Sequence, residues 1–112
     1  MKKIEAIIRP EKLAVVRKAL EEIGIPGVTI TDVKGHGVQR GIVQQWRGNT
    51  YTVDLLPKVK LEAVVSDELL ERALQVIQET AQTGEIGDGK VFIWEIADVM
   101  RVRTGERGKG AI

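Results

Sequence analysis

Thr83-Gly84-Glu85-Ile86-Gly87-Asp88-Gly89-Lys90, followed by Val91-Phe92-Ile93-Trp94-Glu95-Ile96, is the stretch on which the fold turns. Gly84-x-x-x-x-Gly89-Lys90 nearly matches a phosphate loop. Such a loop follows a strand, opens a helix and ends in Lys-Ser/Thr, whose hydroxyl holds magnesium. Here Val91 stands in the hydroxyl's place, and the order is reversed. A helical pattern (Leu70, Ala73, Leu74, Ile77, Ala81) comes before the loop, and a strand pattern comes after it. One reading is a plain helix-to-strand turn. The other is an anion cradle, because glycines let backbone N–H groups converge and Lys90 adds a point charge.

Working outward, Ile4, Ala6 and Ile8 alternate with Lys3, Glu5 and Ile7, as in a strand. Pro10 suits the first turn of a helix. Leu13, Val16, Leu20 and Ile23 share one helical face, which Gly24 and Pro26 terminate. Val28 to Val33 is β-branched and predicts a second strand. Val59, Leu61, Ala63 and Val65 alternate with Lys58, Lys60 and Glu62 and predict a third. Asp67 and Glu68 favour the second helix's start through the dipole. The strand after the glycine loop is the fourth, and Val99 to Thr104 offers a short fifth. The order β-α-β-long loop-β-α-β predicts an α+β, ferredoxin-like fold, with a four-stranded antiparallel sheet carrying both helices on one face. Phe92, Trp94 and Ile96 on one side of the last strand, and Val91 and Ile93 on the other, leave the sheet with two apolar faces. That pattern predicts a homo-oligomer.

Residues 34–57 form a long segment rich in Gly, Gln and Arg, with no sustained period. Loops of this length in compact domains are usually functional or disordered. The tail, about 105–112, is polar and glycine-rich, and its expected state is mobile. The chain has 112 residues, 43% of them apolar, which fits one domain over 1–112 with a real core. A net charge of +1 gives no basic excess for direct nucleic-acid binding. The absence of cysteine excludes disulfides, thiolate metal sites and a cysteine nucleophile, and is compatible with the cytoplasm. No run reaches transmembrane length, and the start reads as a strand rather than a signal peptide.

No catalytic constellation emerges. His36, the one histidine, reads as a solvated loop residue, and Ser66 as part of a helix start. Trp46 and Tyr51, in the long loop, read equally as local anchors or partner contacts. Lys58, Lys90, Arg101 and Arg103 lie near two glycine turns, and together they favour a polyanion such as a nucleotide. Arg101 and Arg103 are two apart, so on a strand they would share a side.

The order and spacing of several segments carry a resemblance. They are Met1–Pro10 (MKKIEAIIRP), Val33–Gly37 (VKGHG), Arg47–Tyr51 (RGNTY), Leu56–Lys60 (LPKVK), Thr83–Lys90 and Arg101–Glu106 (RVRTGE). Over essentially its full length the chain resembles the PII nitrogen-regulatory signalling proteins. The resemblance implies a homotrimer in which ATP and ADP compete for clefts between subunits. Gly87, Asp88, Gly89 and Lys90 would hold phosphates together with Gly35, Gly37 and Val38. Arg101 and Arg103 would come from the neighbouring subunit, and Thr29, Glu62 and Val64 would line the adenine and ribose pocket. Gln39 matches the side chain that helps coordinate ATP-bound magnesium, which chelates 2-oxoglutarate. Lys58 matches the partner of that ligand's distal carboxylate, with Gly41 and Gly87 beside it. The long loop, about 36–57, corresponds to the T-loop, which docks onto ammonium transporters, nitrogen-metabolism enzymes or transcription regulators. Contact with a membrane would then come only through a channel partner.

Three departures bear on the transfer. Val38 stands where many relatives have an arginine that reaches the phosphates, and Arg40 is a candidate to compensate. Asn49 replaces a serine phosphorylated in some relatives, whereas Tyr51 matches a tyrosine that some bacteria uridylylate or adenylylate. The tail Glu106-Arg107-Gly108-Lys109-Gly110 is more basic than the family's usual acidic one. The implied function is a sensor rather than an enzyme. The alternatives are a weak nucleotide hydrolase, against which the missing base and hydroxyl argue, and an interaction module that works without ligand.

Overall fold

The computed structural model describes residues 1–36, 42–46, 49–53 and 55–112. Strand β1 (Lys2–Ile8) leads through a single 3-10 turn at Pro10–Lys12 into helix α1 (Leu13–Glu22). Next come β2 (Thr29–Gly35), β3 (Ile42–Trp46), β4 (Asn49–Val53), β5 (Leu56–Val65), α2 (Asp67–Ala81) and β6 (Gly89–Glu95). The main sheet has the order β2-β5-β1-β6, with every neighbouring pair antiparallel. This is the ferredoxin-like arrangement. No described helix is long and apolar enough to cross a membrane.

The alternation in β1 and β5 sorts their side chains between two faces. Ile4, Ala6, Ile8, Val59, Leu61, Ala63 and Val65 are buried under the helices. Val16 and Leu20 of α1 and Ala73, Val76, Ile77 and Ala81 of α2 complete this core. Val76 lies outside the helical stripe read from sequence, while Leu70 and Leu74 of that stripe are only partly buried. Gly24, at φ +93°, ends α1. Its N–H donates to the Glu21 carbonyl and that of Ile25 to Leu20, so the apolar residue after the glycine is tucked into the core.

Three local expectations change. The long segment is not without secondary structure, since β3 and β4 pair antiparallel as a separate two-stranded sheet. Residues 99–104 do not form a strand. Met100 makes only an isolated bridge with Arg107, and residues 102–104 are a turn closed by Gly105 N–H donating to the Arg101 carbonyl. The tail folds back, with a 3-10 turn at Lys109–Ala111 and Ala111 buried. Its basic side chains have local partners: Arg107 pairs with Asp98, and Lys109 with Glu68 at the start of α2.

Phe92 and Trp94 of β6 are close to half exposed on the face away from the helices. Ile93, on the helix side, is also about half exposed. The two-faced apolar pattern of the last strand is thus a property of the folded chain.

Candidate functional site: the glycine loop and the face around Lys58

The register of β1 against β6 sets the position of the loop. Ile8 lies opposite Gly89 and Ile7 opposite Lys90, so β6 begins where β1 ends. Gly89 has φ +106°, and a Cβ there would lie 1.8 Å from the Ile7 carbonyl oxygen. Only glycine fits so close to a neighbouring backbone. Gly84 (φ +89°) and Gly87 (φ +100°) supply the other left-handed positions of the loop.

Asp88 organises this turn. One carboxylate oxygen accepts from the N–H groups of Thr83 (2.8 Å) and Gly84 (2.9 Å). The other accepts from the Thr83 hydroxyl (2.5 Å) and from Arg9 Nε (3.0 Å). The Thr83 hydroxyl in turn accepts from the Glu85 N–H. With the Thr83 hydroxyl the leading cause, these donors hold the Asp88 carboxyl far below the usual carboxylate range.

Two cations tie the loop to the sheet. Arg9 donates to the Ile86 carbonyl at 2.9 Å, and Lys58 Nζ donates to the Gly87 carbonyl at 2.7 Å. Gly35 packs beside Lys58, since a Cβ on it would meet the Lys58 side chain at 3.6 Å. Burial, and then the nearby Arg9 charge, push the Lys58 ammonium's pKa down. Gly35, Lys58, Gly87 and Asp88 therefore form one cluster, with Gly89 and Lys90 continuing from it along β6. Lys90 is exposed.

Thr29, Glu62 and Val64 lie on the open face of the sheet. Thr29 stands opposite Glu62. Glu62 pairs with Lys3 at 2.7 Å and more loosely with Lys60 at 3.9 Å. Lys3 also sits over the Trp94 ring. Gly37, Val38, Gln39 and Gly41 lie outside the described residues. Tyr51 lies in β4, opposite Gln44. His36 is exposed just beyond β2.

Arg101 and Arg103 are not part of this cluster. β6 runs from Gly89 opposite Ile8 to Glu95 opposite Lys2, so it carries the chain to the other end of the sheet. Seven residues of strand span about 20 Å. Arg101 pairs there with Glu106 at 3.1 Å, and Arg103 is exposed on the turn. The expectation that they share one side of a strand fails because the segment turns.

Sequence reasoning missed Arg9. It read Pro10 as the first turn of a helix and gave Arg9 no role, although Pro10 holds the residue before it extended (Arg9 φ −64°, ψ 138°) at the sheet end that faces the loop. Finding it required the β1–β6 register, which a single sequence does not print.

The nitrogen regulatory protein P-II family profile matches residues 1–106. The chain is 57% identical over its full length, and that of the relative, to a nitrogen regulatory protein P-II of Rhodospirillum rubrum. It is 57% identical over its full length to the nitrogen regulatory protein P-II 1 of Methanothermobacter thermautotrophicus, covering 97% of that relative. It is 54% identical to the nitrogen regulatory protein P-II 1 of Escherichia coli K12, with full coverage of both. A match of this extent includes both the sheet and the glycine loop, and the chain belongs to the P-II family of nitrogen regulatory proteins.

Proposed function

We propose that this protein is a regulator of nitrogen metabolism that binds ATP or ADP, and 2-oxoglutarate with Mg-ATP, and signals through the segment around β3 and β4. The observation that carries the reading is the clustering of Lys58 and Gly35 with the Gly87–Lys90 loop. Left-handed glycines and two nearby cations suit a chain of phosphates. Among the described residues, no group of three or more His, Asp or Glu could hold a metal. In this reading magnesium takes its oxygen ligands from the phosphates and the 2-keto acid, with Gln39 assisting. 2-Oxoglutarate then needs Mg-ATP in place before it binds, and its distal carboxylate pairs with Lys58. Different loop populations with ADP and with ATP plus 2-oxoglutarate select different partners. The assembly in this reading is a homotrimer whose clefts receive Arg101 and Arg103 from a neighbour. Its partners are ammonium transporters, nitrogen-assimilation enzymes or transcription regulators. The role is regulatory rather than catalytic, and its place is the cytoplasm.

Calorimetry tests the reading. ATP should bind saturably, and 2-oxoglutarate should bind only when ATP and magnesium are both present. Absence of nucleotide binding would sink it. Lys58→Ala should abolish the 2-oxoglutarate signal while sparing ATP more, and equal loss of both ligands would contradict the assigned role.

A further inference from the structure

We propose that Arg9 and Asp88 form a positioning pair that shapes the glycine loop for a polyphosphate through their side chains, without touching the ligand. The proposal rests on the nucleotide reading above and assigns the Asp88 carboxylate a different task from its neighbours Gly87, Gly89 and Lys90. That carboxylate is turned into the loop, where four donors surround it: the Thr83 N–H and hydroxyl, the Gly84 N–H and Arg9 Nε. A carboxylate facing phosphates would repel them. Turned inward and paired with Arg9, its charge is offset where it stands, and its acceptors consume the N–H groups at the loop's start.

The Asp88 N–H lies at the close of the turn over Ile86 and Gly87, whereas the N–H groups of Ile86 and Gly87 donate to no partner among the described residues. They are the donors left for an anion. Arg9 fixes the other half of the geometry. Its fork reaches both Asp88 and the Ile86 carbonyl, a two-point grip that a lysine's single ammonium cannot reproduce. The Arg9 side chain is only 14% exposed and that of Asp88 24%, so the pair is partly withdrawn from solvent screening.

A double-mutant cycle on the intact protein tests this, using Arg9→Lys, Asp88→Asn and the double variant, with ATP affinity read by calorimetry. Asp88→Asn places an amide NH2 among donors, and Arg9→Lys keeps the charge but loses the fork. Each single variant should weaken ATP binding by about tenfold. The double variant should lose clearly less than the sum of the two single losses, because the two residues act through one hydrogen-bond network. Additive losses would overturn the pair, since they are what two independent ligand contacts produce.

Amide hydrogen exchange of the ligand-free protein supplies the second readout. Thr83 and Gly84 should exchange faster in all three variants, while the β5 amides remain as protected as in the unaltered protein. Unchanged protection at Thr83 and Gly84 would also overturn the proposal. If the unaltered protein binds no ATP, the nucleotide reading fails, and exchange alone decides whether the pair shapes the loop.

Discussion

At single positions the loop is built with little tolerance. Gly89→Ala would drive a methyl group into the Ile7 carbonyl and also impose a left-handed residue with a side chain. The conformational part alone costs about 1–2 kcal/mol, and the backbone clash adds to it by forcing β6 off β1. The expected outcome is a clearly lowered thermal midpoint, and an unchanged midpoint would show that the β1–β6 register is misplaced. Asp88 gives a pH signature. Its folded pKa is depressed, so its stabilising effect is fully present above the unfolded carboxyl's value of about 4. That effect is lost progressively as pH falls below it toward the lower folded pKa. Asp88→Asn should therefore lower the thermal midpoint near neutrality, with the gap to the unaltered protein narrowing below about pH 4. A gap constant across that range would remove the carboxylate's charge from the explanation. In the sequence these two residues stand out as part of an anion cradle, but their structural tasks do not show there. The glycine's necessity comes from Ile7, and the aspartate's work from Arg9 and Thr83. Arg9 lies 79 positions from Asp88, beyond the reach of any local pattern.

The regular elements were legible because their signals are local. Period-two alternation in Lys2–Ile8 and in residues 58–65 of β5, and the helical stripe of Asp67–Ala81, each reflect burial against one core. Two elements were not legible in that way. Arg101-Val102-Arg103 has the alternation of a strand, but Val102 is 91% exposed and the segment turns back onto Glu106 and Arg107. Nothing buries its apolar side, so the pattern has no force. The β3–β4 hairpin escaped notice for the opposite reason. It pairs only with itself, so no pairing with the main sheet announces it. That independence makes a prediction. Gly35 and Leu56 are register partners across β2 and β5, so the segment's two ends already lie side by side. Replacing residues 37–54 with a short Asn-Gly-containing turn should leave the thermal midpoint of the core within about 4–8 °C, the shift of roughly 1 kcal/mol in a domain this size. A larger fall would mean that the segment supports the core. In the proposed function the same variant loses partner binding, which a pull-down with ATP plus 2-oxoglutarate would read.

At the scale of the whole molecule, the decisive fact is that the loop and the arginine turn occupy opposite ends of one sheet. One chain cannot bring Lys90 and Arg103 onto the same phosphates across about 20 Å of strand. If both serve one nucleotide, two chains must build each cleft, and the half-exposed Phe92 and Trp94 then have a reason to remain uncovered in the isolated subunit. Mixed assembly tests this directly. Homo-oligomers of Lys90→Ala lack the loop's lysine, and those of Arg103→Ala lack the guanidinium, so each should bind ATP poorly. When the two variants are co-assembled in equal amounts, a cleft that takes its loop from an Arg103→Ala chain and its arginine from a Lys90→Ala chain has both groups intact. Random mixing makes about a quarter of the clefts of this kind. Calorimetry should therefore show a minority of sites with ATP affinity close to that of the unaltered protein, absent from either variant alone and absent when the two are mixed without reassembly. No recovered sites after verified co-assembly would mean that the arginines do not complete a neighbour's loop. The glycine loop would then have to hold its anion with the cations at its own end of the sheet, Arg9, Lys58 and Lys90.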